Sequence, residues 1–216
     1  MDKKDIIDFF KDLIFIVVVV VVIKTFIAMP FQINGQSMYS SYYDKEFIIV
    51  DRLTYSFVEP KRWDVIVFKP YISDERKYFL KRIIGIPWDN IKIENWKIYL
   101  KKNGEINYKE LDEKYLNPEN KWFTFVWGSS EMHEYSIWEW QYYVLWDNRN
   151  HSTDARDCFS SCAIIGRSFF INKSDITWKL FLDLGYFNIK TFSFIQPELW
   201  IDTKPKFFNS PSSFEY

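Results

Sequence analysis

Two hydrophobic patterns divide this chain, and the first is an unbroken apolar run near the N-terminus. Residues 13–23 read LIFIVVVVVVI, and the apolar character continues to residue 29. About 17 residues is the lower limit for a helix that crosses a bilayer. We predict a transmembrane anchor over residues 13–29, which Pro30 ends, with residues 1–12 as a cytoplasmic N-terminus. The alternative is a cleavable secretory signal with a short apolar region.

The second pattern begins after Pro30, where short runs of β-branched and aromatic residues are separated by turn residues. Such runs are typical of strands. They cover residues 47–53, 64–69, 78–86, 90–100 and 141–147. Their spacing favours an all-β barrel or sandwich. We predict a mainly β catalytic domain over residues 30–170 with an irregular inserted subdomain at about 103–139. Residues 171–216 would be a C-terminal extension with a disordered end.

Composition excludes some classes of function. The net charge of -1 and the pI near 6.2 give no reason to expect a nucleic-acid partner, which requires a basic surface. Two histidines, His133 and His151, are too few for most histidine-based metal sites, and neither a metal nor an organic cofactor is expected. Cys158 and Cys162 lie four apart in a domain expected to face an oxidising compartment. A disulfide and an inert reduced pair are both open.

The candidate catalytic base is a lysine in an apolar strand. A Ser-His-Asp protease needs a histidine as base, and His133 in the irregular region and His151 in a polar loop are not excluded. A lysine can replace histidine where burial lowers its pKa. Lys81 stands in the run YFLKRII, which is otherwise largely hydrophobic. The alternative is an ordinary lysine at a sheet edge or on a solvated face.

Four segments then carry a family resemblance. They are NGQSM at 34–38, RWDVIVFK at 62–69, YFLKRIIGIPWD at 78–89 and LWDNRNHSTDAR at 145–156. In this order and at roughly this spacing they resemble the sequence boxes of type I signal peptidases, which are membrane-anchored Ser-Lys serine proteases. The resemblance runs from the anchor to about residue 167, and the later residues gain nothing from it.

The resemblance implies a role for each matching residue at the reacting centre. Ser37 would attack the scissile carbonyl, and Lys81 in its neutral form would accept the proton of Ser37. The backbone N–H of Ser37 would face the developing oxyanion. Gly35 stands where some members have a hydroxyl donor, so that donor is absent. Met38 is expected to help line the cleft.

The last box implies supporting residues. Ser152 matches the serine that helps orient the lysine, and Asp154 and Arg156 match a supporting pair. The chain departs from the family pattern at residues 40–41, where Ser-Ser replaces Pro-Thr, and at Ala155, which replaces a serine. Neither departure removes a catalytic atom.

A larger departure concerns tryptophan. The chain has 6 Gly and 10 Trp, whereas average usage gives roughly 15 glycines at this length. Five tryptophans stand where the family pattern has glycine: Trp63, Trp88, Trp96, Trp140 and Trp146. Two of them follow Pro87 and Asn95, in turns that expect glycine and often require φ > 0.

We therefore hypothesise that the gene reads UGA as glycine and that translation under another code wrote tryptophan. The alternative is a genuinely Trp-rich protein with an aromatic surface for membrane contact. The other tryptophans come under the same suspicion: Trp122, Trp127, Trp138, Trp178 and Trp200.

By resemblance the protein is a membrane-anchored serine endopeptidase that removes signal peptides from exported preproteins. Its substrates would have small residues one and three positions before the cleaved bond. Its partners would be signal peptides and the lipid bilayer. It would cross a bacterial-type plasma membrane once, with the catalytic domain extracytoplasmic, and its oligomeric state is open. The alternatives are a different Ser-Lys self-cleaving peptidase and a non-catalytic membrane-anchored β binding domain.

Overall fold

The computed structural model of the protein describes residues 2–69, 78–121, 123–124, 126, 132–150, 154–160, 168–188, 190–196, 201–202 and 206–207. An N-terminal helix, α1, covers Lys3–Val22. It begins with a capping box, in which the side chains of Asp2 and Asp5 accept hydrogen bonds from the first free N–H groups. One π-helical turn, Ile23–Ile27, follows it.

The helix differs from the predicted anchor over residues 13–29. It starts ten residues earlier, so its first half includes six charged side chains. Its end also lies before Pro30, which belongs to a strand instead of terminating the helix. Within the described ranges, no helix combines the length and the apolarity needed to cross a membrane.

The rest of the described chain is mainly β, as predicted, with one short helix, α2, at Thr54–Phe57. The strands are β1 Ala28–Gln32, β2 Phe47–Asp51, β3 Val65–Phe68, β4 Phe79–Gly85, β5 Asn90–Glu94, β6 Lys97–Lys101, β7 Lys109–Glu110, β8 His133–Ser136, β9 Gln141–Leu145, β10 Ile171–Asn172, β11 Ile176–Gly185, β12 Ile195–Gln196, β13 Ile201–Asp202 and β14 Lys206–Phe207.

Two sheets position the site. The main sheet has the order β1-β2-β11-β3-β4-β9-β10, with β14 paired to β11. The second sheet has the order β7-β6-β5-β8. All of these pairs are antiparallel. Because β11 lies between β2 and β3, the main sheet extends beyond residue 170, where the sequence pattern ended the catalytic domain.

The second sheet also changes two predicted boundaries. The apolar run at 90–100, predicted as one strand, is the β5–β6 hairpin, whose turn is formed by Asn95 and Trp96. Both turn residues have positive φ, 50° and 67°, which is the signature of a type I′ turn. The inserted subdomain at 103–139 contributes β7 and β8 to this sheet, so part of it is regular.

Burial in the core explains the pattern of apolar residues in the strand sequences. All four residues of β3 are buried, which accounts for its uninterrupted apolar sequence VIVF. The strands β5 and β6 alternate between buried and half-buried positions, and their buried side chains join Ile84, Tyr143 and Leu145 in one cluster. A Cβ on Gly85 would lie 2.2 Å from Ile137, so this position has no room for a side chain.

Backbone conformation singles out several tryptophans. Nine non-glycine residues in the described ranges have positive φ, and four of them are tryptophans. They are Trp63 at 75°, Trp88 at 72°, Trp96 at 67° and Trp140 at 65°. Trp146 is not among them. These four positions therefore adopt the backbone conformation that glycine favours.

Candidate active site

Ser37 lies in a tight turn between β1 and β2. The turn begins at Gly35, whose φ of +106° is accessible to glycine and strained for other residues. The N–H of Gly35 donates to Asp44 Oδ1 at 2.6 Å, and the N–H of Tyr39 donates to the carbonyl of Gln36 at 3.2 Å. Ser37 itself is half-buried. Its N–H donates to no other described residue, which leaves it available to a ligand.

The Ser37 turn borders a groove of about 890 Å³. Its lining comes from residues 31–37, from Ile48 and Val67 in the sheet, from residues 78–80, and from Trp146 and Asn148. All four boxes of the sequence therefore contribute to one groove. Most of the contributing sheet residues are apolar, so a bound chain would lose water as it enters.

Lys81 is packed against the lining of this groove. It is fully buried in β4, where it is paired with Ile66 of β3. Its Nζ donates to the carbonyl of Leu80 at 3.0 Å and lies 3.9 Å from the centre of the Trp146 ring. Leu80 and Trp146 both line the groove. The Lys81 amine thus lies behind two residues that line the groove bordered by Ser37.

The electrostatics of Lys81 favour a neutral amine. Burial lowers the pKa of Lys81 well below its ordinary value, while the charges of Asp154 and Asp147 oppose that shift. No carboxylate of the described residues forms an ion pair with the Nζ. An unpaired, desolvated amine loses its proton readily, which is the requirement for a general base near neutral pH.

Asp154 and Arg156 form a buried pair beside Lys81. Arg156 donates to both carboxylate oxygens of Asp154, at 2.8 and 3.0 Å. Asp154 Oδ2 also accepts the N–H of Trp146 at 3.3 Å, and Arg156 donates to the carbonyl of Arg149 at 3.2 Å. The pair therefore fixes both ends of residues 146–149. Ser152, expected to orient the lysine, lies outside the described residues.

The site also depends on Asn148, which the sequence reasoning did not single out. The backbone N–H of Asn148 donates to the carbonyl of Ser37 at 3.0 Å, and its Nδ2 donates to the carbonyl of Gln36 at 2.9 Å. These two bonds attach the nucleophile turn to the last box. Their only sequence signal is a polar residue inside that box.

Asn120 of the inserted subdomain makes a second connection. Its Oδ1 accepts the N–H of Arg149 at 2.9 Å, and its Nδ2 donates to the carbonyl of Tyr39 at 3.4 Å. The guanidinium of Arg149 donates to Thr124 and to Tyr115, also in the insertion. No local pattern in the sequence reveals these long-range partners, since each is a polar residue in an irregular segment.

Other predicted site residues lie elsewhere. Met38, expected on the cleft, is buried in the core with Tyr42 and Val50, because it follows Ser37 on the inner side of the turn. Cys158 is buried and disulfide-bonded, and Cys162 lies outside the described residues.

The histidines give the Ser-His alternative no support. His133 begins β8 in the second sheet and is not part of the groove lining. Its ring stacks against that of Tyr135, with the ring centres 6.4 Å apart. His151 lies outside the described residues. Of the two candidate bases that the structure describes, His133 and Lys81, only Lys81 packs against residues that line the groove.

A serine on a groove and a buried amine behind the same lining are two groups that a serine hydrolase with a lysine base requires. Residues 6–178 match the family model "Signal peptidase, peptidase S26". The chain therefore belongs to the signal peptidase family, peptidase S26.

Individual relatives agree with the family match. Signal peptidase I S of Bacillus subtilis (strain 168) is 29% identical over 175 residues, which cover 78% of this chain and 90% of the relative. Signal peptidase IB of Staphylococcus aureus (strain COL) is 28% identical over 164 residues, 71% of this chain and 81% of the relative. A crystal structure of signal peptidase I from Enterococcus faecalis V583 covers 57% of this chain and 97% of its own, with 21% identity and a TM-score of 0.40.

These matches confirm the resemblance seen in the four boxes. The protein is a serine peptidase, a hydrolase that removes signal peptides. The self-cleaving and binding-only alternatives are set aside by the same matches.

Proposed function

We propose that Ser37 and Lys81 form the catalytic dyad of this signal peptidase. The observation that carries the proposal is the burial of the Lys81 amine, without a carboxylate partner among the described residues, against the lining of the groove that Ser37 borders. Burial holds the amine neutral, so that it can take a proton from the Ser37 hydroxyl.

In the first step the Ser37 oxygen attacks the scissile carbonyl while Lys81 accepts the hydroxyl proton. The N–H of Ser37 stabilises the oxyanion of the tetrahedral intermediate. Lys81 then returns the proton to the leaving amine, and the C–N bond breaks to give an acyl-enzyme. Water, deprotonated by the same amine, hydrolyses the ester and releases Ser37.

The groove supports binding of an extended peptide. β1 is an edge strand of the main sheet, and the residues that follow it line the groove. An extended substrate can align with such an edge and place alternate side chains towards the groove. Ile48, Val67 and Leu80 give that surface an apolar character, which suits the small apolar residues expected before the cut.

The N-terminal segment supports attachment to a membrane. No side chain of α1 or of the π-helical turn is buried, and this exposed surface includes the six consecutive valines of α1. Exposed apolar surface on this scale is typical of membrane contact. We place residues 13–27 in a bacterial-type plasma membrane as a single-pass anchor, with the catalytic domain extracytoplasmic; Ala28 and Met29, which the sequence pattern included in the anchor, belong to β1. This attachment would raise the effective concentration of membrane-inserted preproteins.

The dyad is tested with full-length protein in detergent and a secretory preprotein as substrate. Ser37→Ala and Lys81→Met are each expected to abolish cleavage at the signal junction. Ser41→Ala, a change in the same turn, and Lys92→Met, on β5, serve as matched controls and should leave cleavage intact. Thermal unfolding would verify that all four variants are folded. Cleavage that persists in Ser37→Ala would mean that another residue is the nucleophile.

Membrane attachment is tested by flotation with phospholipid vesicles. The double substitution Val17→Lys/Val20→Lys should release the protein from the vesicle fraction, because each buried charge opposes insertion. Ile106→Lys is the control, since Ile106 is 90% exposed outside the apolar segment. Unchanged flotation of the double variant would contradict the proposed anchor.

A further inference from the structure

Four tryptophans adopt a backbone conformation in which a large side chain is strained. Trp63, Trp88, Trp96 and Trp140 have φ between 65° and 75°. They are four of the seven tryptophans that the structure describes. Only a few per cent of non-glycine residues adopt positive φ in proteins, and the exceptions are mainly Asn and Asp. Chance placement of tryptophan does not account for this concentration.

Hydrogen bonds fix these backbone positions. The N–H of Trp88 donates to the carbonyl of Ile137 at 2.8 Å. The carbonyl of Trp140 accepts the N–H of Lys173 at 2.8 Å. Trp96 occupies the second central position of the β5–β6 turn, where a type I′ geometry requires positive φ and glycine is strongly preferred. The residues cannot move to negative φ without disturbing these contacts.

Three of the four side chains bury only about half of their surface, which compensates the backbone strain in part. Trp88 is 47% exposed, and Trp96 and Trp140 are each 54% exposed. Trp63 is the exception, because its ring is buried against Tyr115. At the three exposed positions a glycine would relieve the backbone strain at small cost in packing.

Tryptophan at position 146 is unfavourable because of its side chain, not because of its backbone conformation. Its indole Nε1 is buried and has no hydrogen-bond partner among the described residues, which is a costly arrangement for a donor. Its ring lies over the Lys81 Nζ at 3.9 Å and also lines the groove at Ser37. The indole therefore covers the amine on the side of the groove. With glycine at this position the amine would be open to the groove.

We infer that the functional protein carries glycine at positions 63, 88, 96, 140 and 146, because its own translation machinery reads these codons as glycine. The excess of tryptophan over glycine in the translated sequence, 10 against 6, has the same origin. For position 146 the inference also rests on the proposed Ser37–Lys81 dyad. The other four positions are independent of the catalytic mechanism.

The backbone part is tested by paired substitutions in the full-length protein. Each of Trp88, Trp96 and Trp140 is changed separately to Gly and to Ala, and Tm is measured. Each Gly variant should melt above its Ala partner by about 3 °C or more, because only alanine is strained at positive φ. Trp138 is the matched control, since it is 65% exposed without positive φ. There, Ala should equal or exceed Gly. The inference would be overturned if the Gly variant melted below the Ala variant at positions 88, 96 and 140 as well as at the control position 138.

The active-site part uses Trp146→Gly in a chain that already carries glycine at 88, 96 and 140. Cleavage of the preprotein should rise at least about tenfold as the Lys81 amine becomes accessible, and Trp138→Gly should not change it. If Trp146→Gly leaves the rate unchanged while Ser37→Ala still abolishes cleavage, the dyad stands and the inference fails at position 146. If Ser37→Ala retains activity, the dyad itself fails.

Mass spectrometry of the protein isolated from its source cells decides the residue identities directly. Peptides that span positions 88, 96, 140 and 146 should each be lighter by the difference between tryptophan and glycine. Tryptophan masses at these positions would overturn the inference, as would UGG codons in the gene.

Discussion

On the two faces of β4, two buried basic side chains have pKa values shifted in opposite directions. Lys81 and Arg82 are neighbours, and both are buried. Lys81 has the Leu80 carbonyl as its hydrogen-bond acceptor, and burial lowers its pKa. Burial also favours the neutral form of Arg82. Its ion pair with Asp147, at 2.6 and 2.9 Å, outweighs that effect and raises the pKa of Arg82.

Both side chains are fully buried, so the depth of burial does not separate them. Arg82 differs in having a carboxylate partner and in the higher intrinsic pKa of a guanidinium, which keeps its proton far more readily than an ammonium does. The same division recurs in the last box, where Asp147 binds Arg82 and the next residue, Asn148, binds the Ser37 turn. In both segments, β4 and the last box, one residue thus belongs to the proposed catalytic centre or contacts it, and its neighbour belongs to the buried ion pair. One face carries the proposed chemistry, and the other holds the segments in place.

The largest expected effect is on the scaffold face. Asp147→Leu should lower the free energy of unfolding by about 3–5 kcal/mol, because it leaves the Arg82 guanidinium buried without its counter-charge. The double variant Arg82→Met/Asp147→Leu should recover most of this loss. Urea denaturation measures both. Lys97→Met, which breaks a surface pair with Glu110, is the control and should change stability far less. A single variant no worse than this control would contradict the comparison.

On the catalytic face, removing the Lys81 amine should change the free energy of unfolding in the opposite direction. Lys81→Met should raise the free energy of unfolding by about 1–3 kcal/mol, because a buried polar group becomes apolar. In the parent, stability should rise with pH between the lowered folded-state pKa of Lys81 and the ordinary pKa of an unfolded lysine. In that window the unfolded chain binds a proton that the folded chain does not.

The Lys81→Met variant should lack this pH dependence, and thermal unfolding at a series of pH values would measure it. Lys92→Met serves as the reference, since Lys92 is only partly buried and pairs with Glu94. A Lys81→Met protein that is less stable than the parent at every pH would mean that the amine is charged and paired.

The smallest effect concerns the connection between the two segments. Asn148→Ala removes the side-chain bond to Gln36 but keeps the backbone bond to Ser37. It should lower kcat about tenfold with little change in KM, since the nucleophile is less well positioned while the groove is intact. Asn150→Ala, two residues away and half-buried with its side chain on the Glu119 carbonyl, is the control and should leave kcat unchanged. Equal effects of the two substitutions would remove Asn148 from the positioning role.

Much of this site follows from local sequence. The strand runs, the Ser37 turn and a lysine in an apolar strand are short-range patterns. In the structure Ser37 lines the groove, and Lys81 is buried against the lining residues Leu80 and Trp146. The turns at Trp88 and Trp96 were also predictable, because φ > 0 depends on turn chemistry over a few residues.

The rest depends on distant partners. The placement of β11 between β2 and β3 and the link from Asn120 to Tyr39 join residues far apart in the chain, and hydrophobic periodicity carries no information on register or partner. The start of α1 was also missed, since its first turn is stabilised by polar capping residues instead of an apolar face.

The central position of β11 has a consequence for the order of events during synthesis. The hairpin that carries Ser37 and the hairpin that carries Lys81 meet in the sheet only through this strand, where Lys179 lies opposite both Asp51 and Ile66. Until residues 176–185 have left the ribosome, the two hairpins have no strand to join them. Proteolytic competence therefore follows the synthesis of this strand, because only then can the two hairpins join in one sheet.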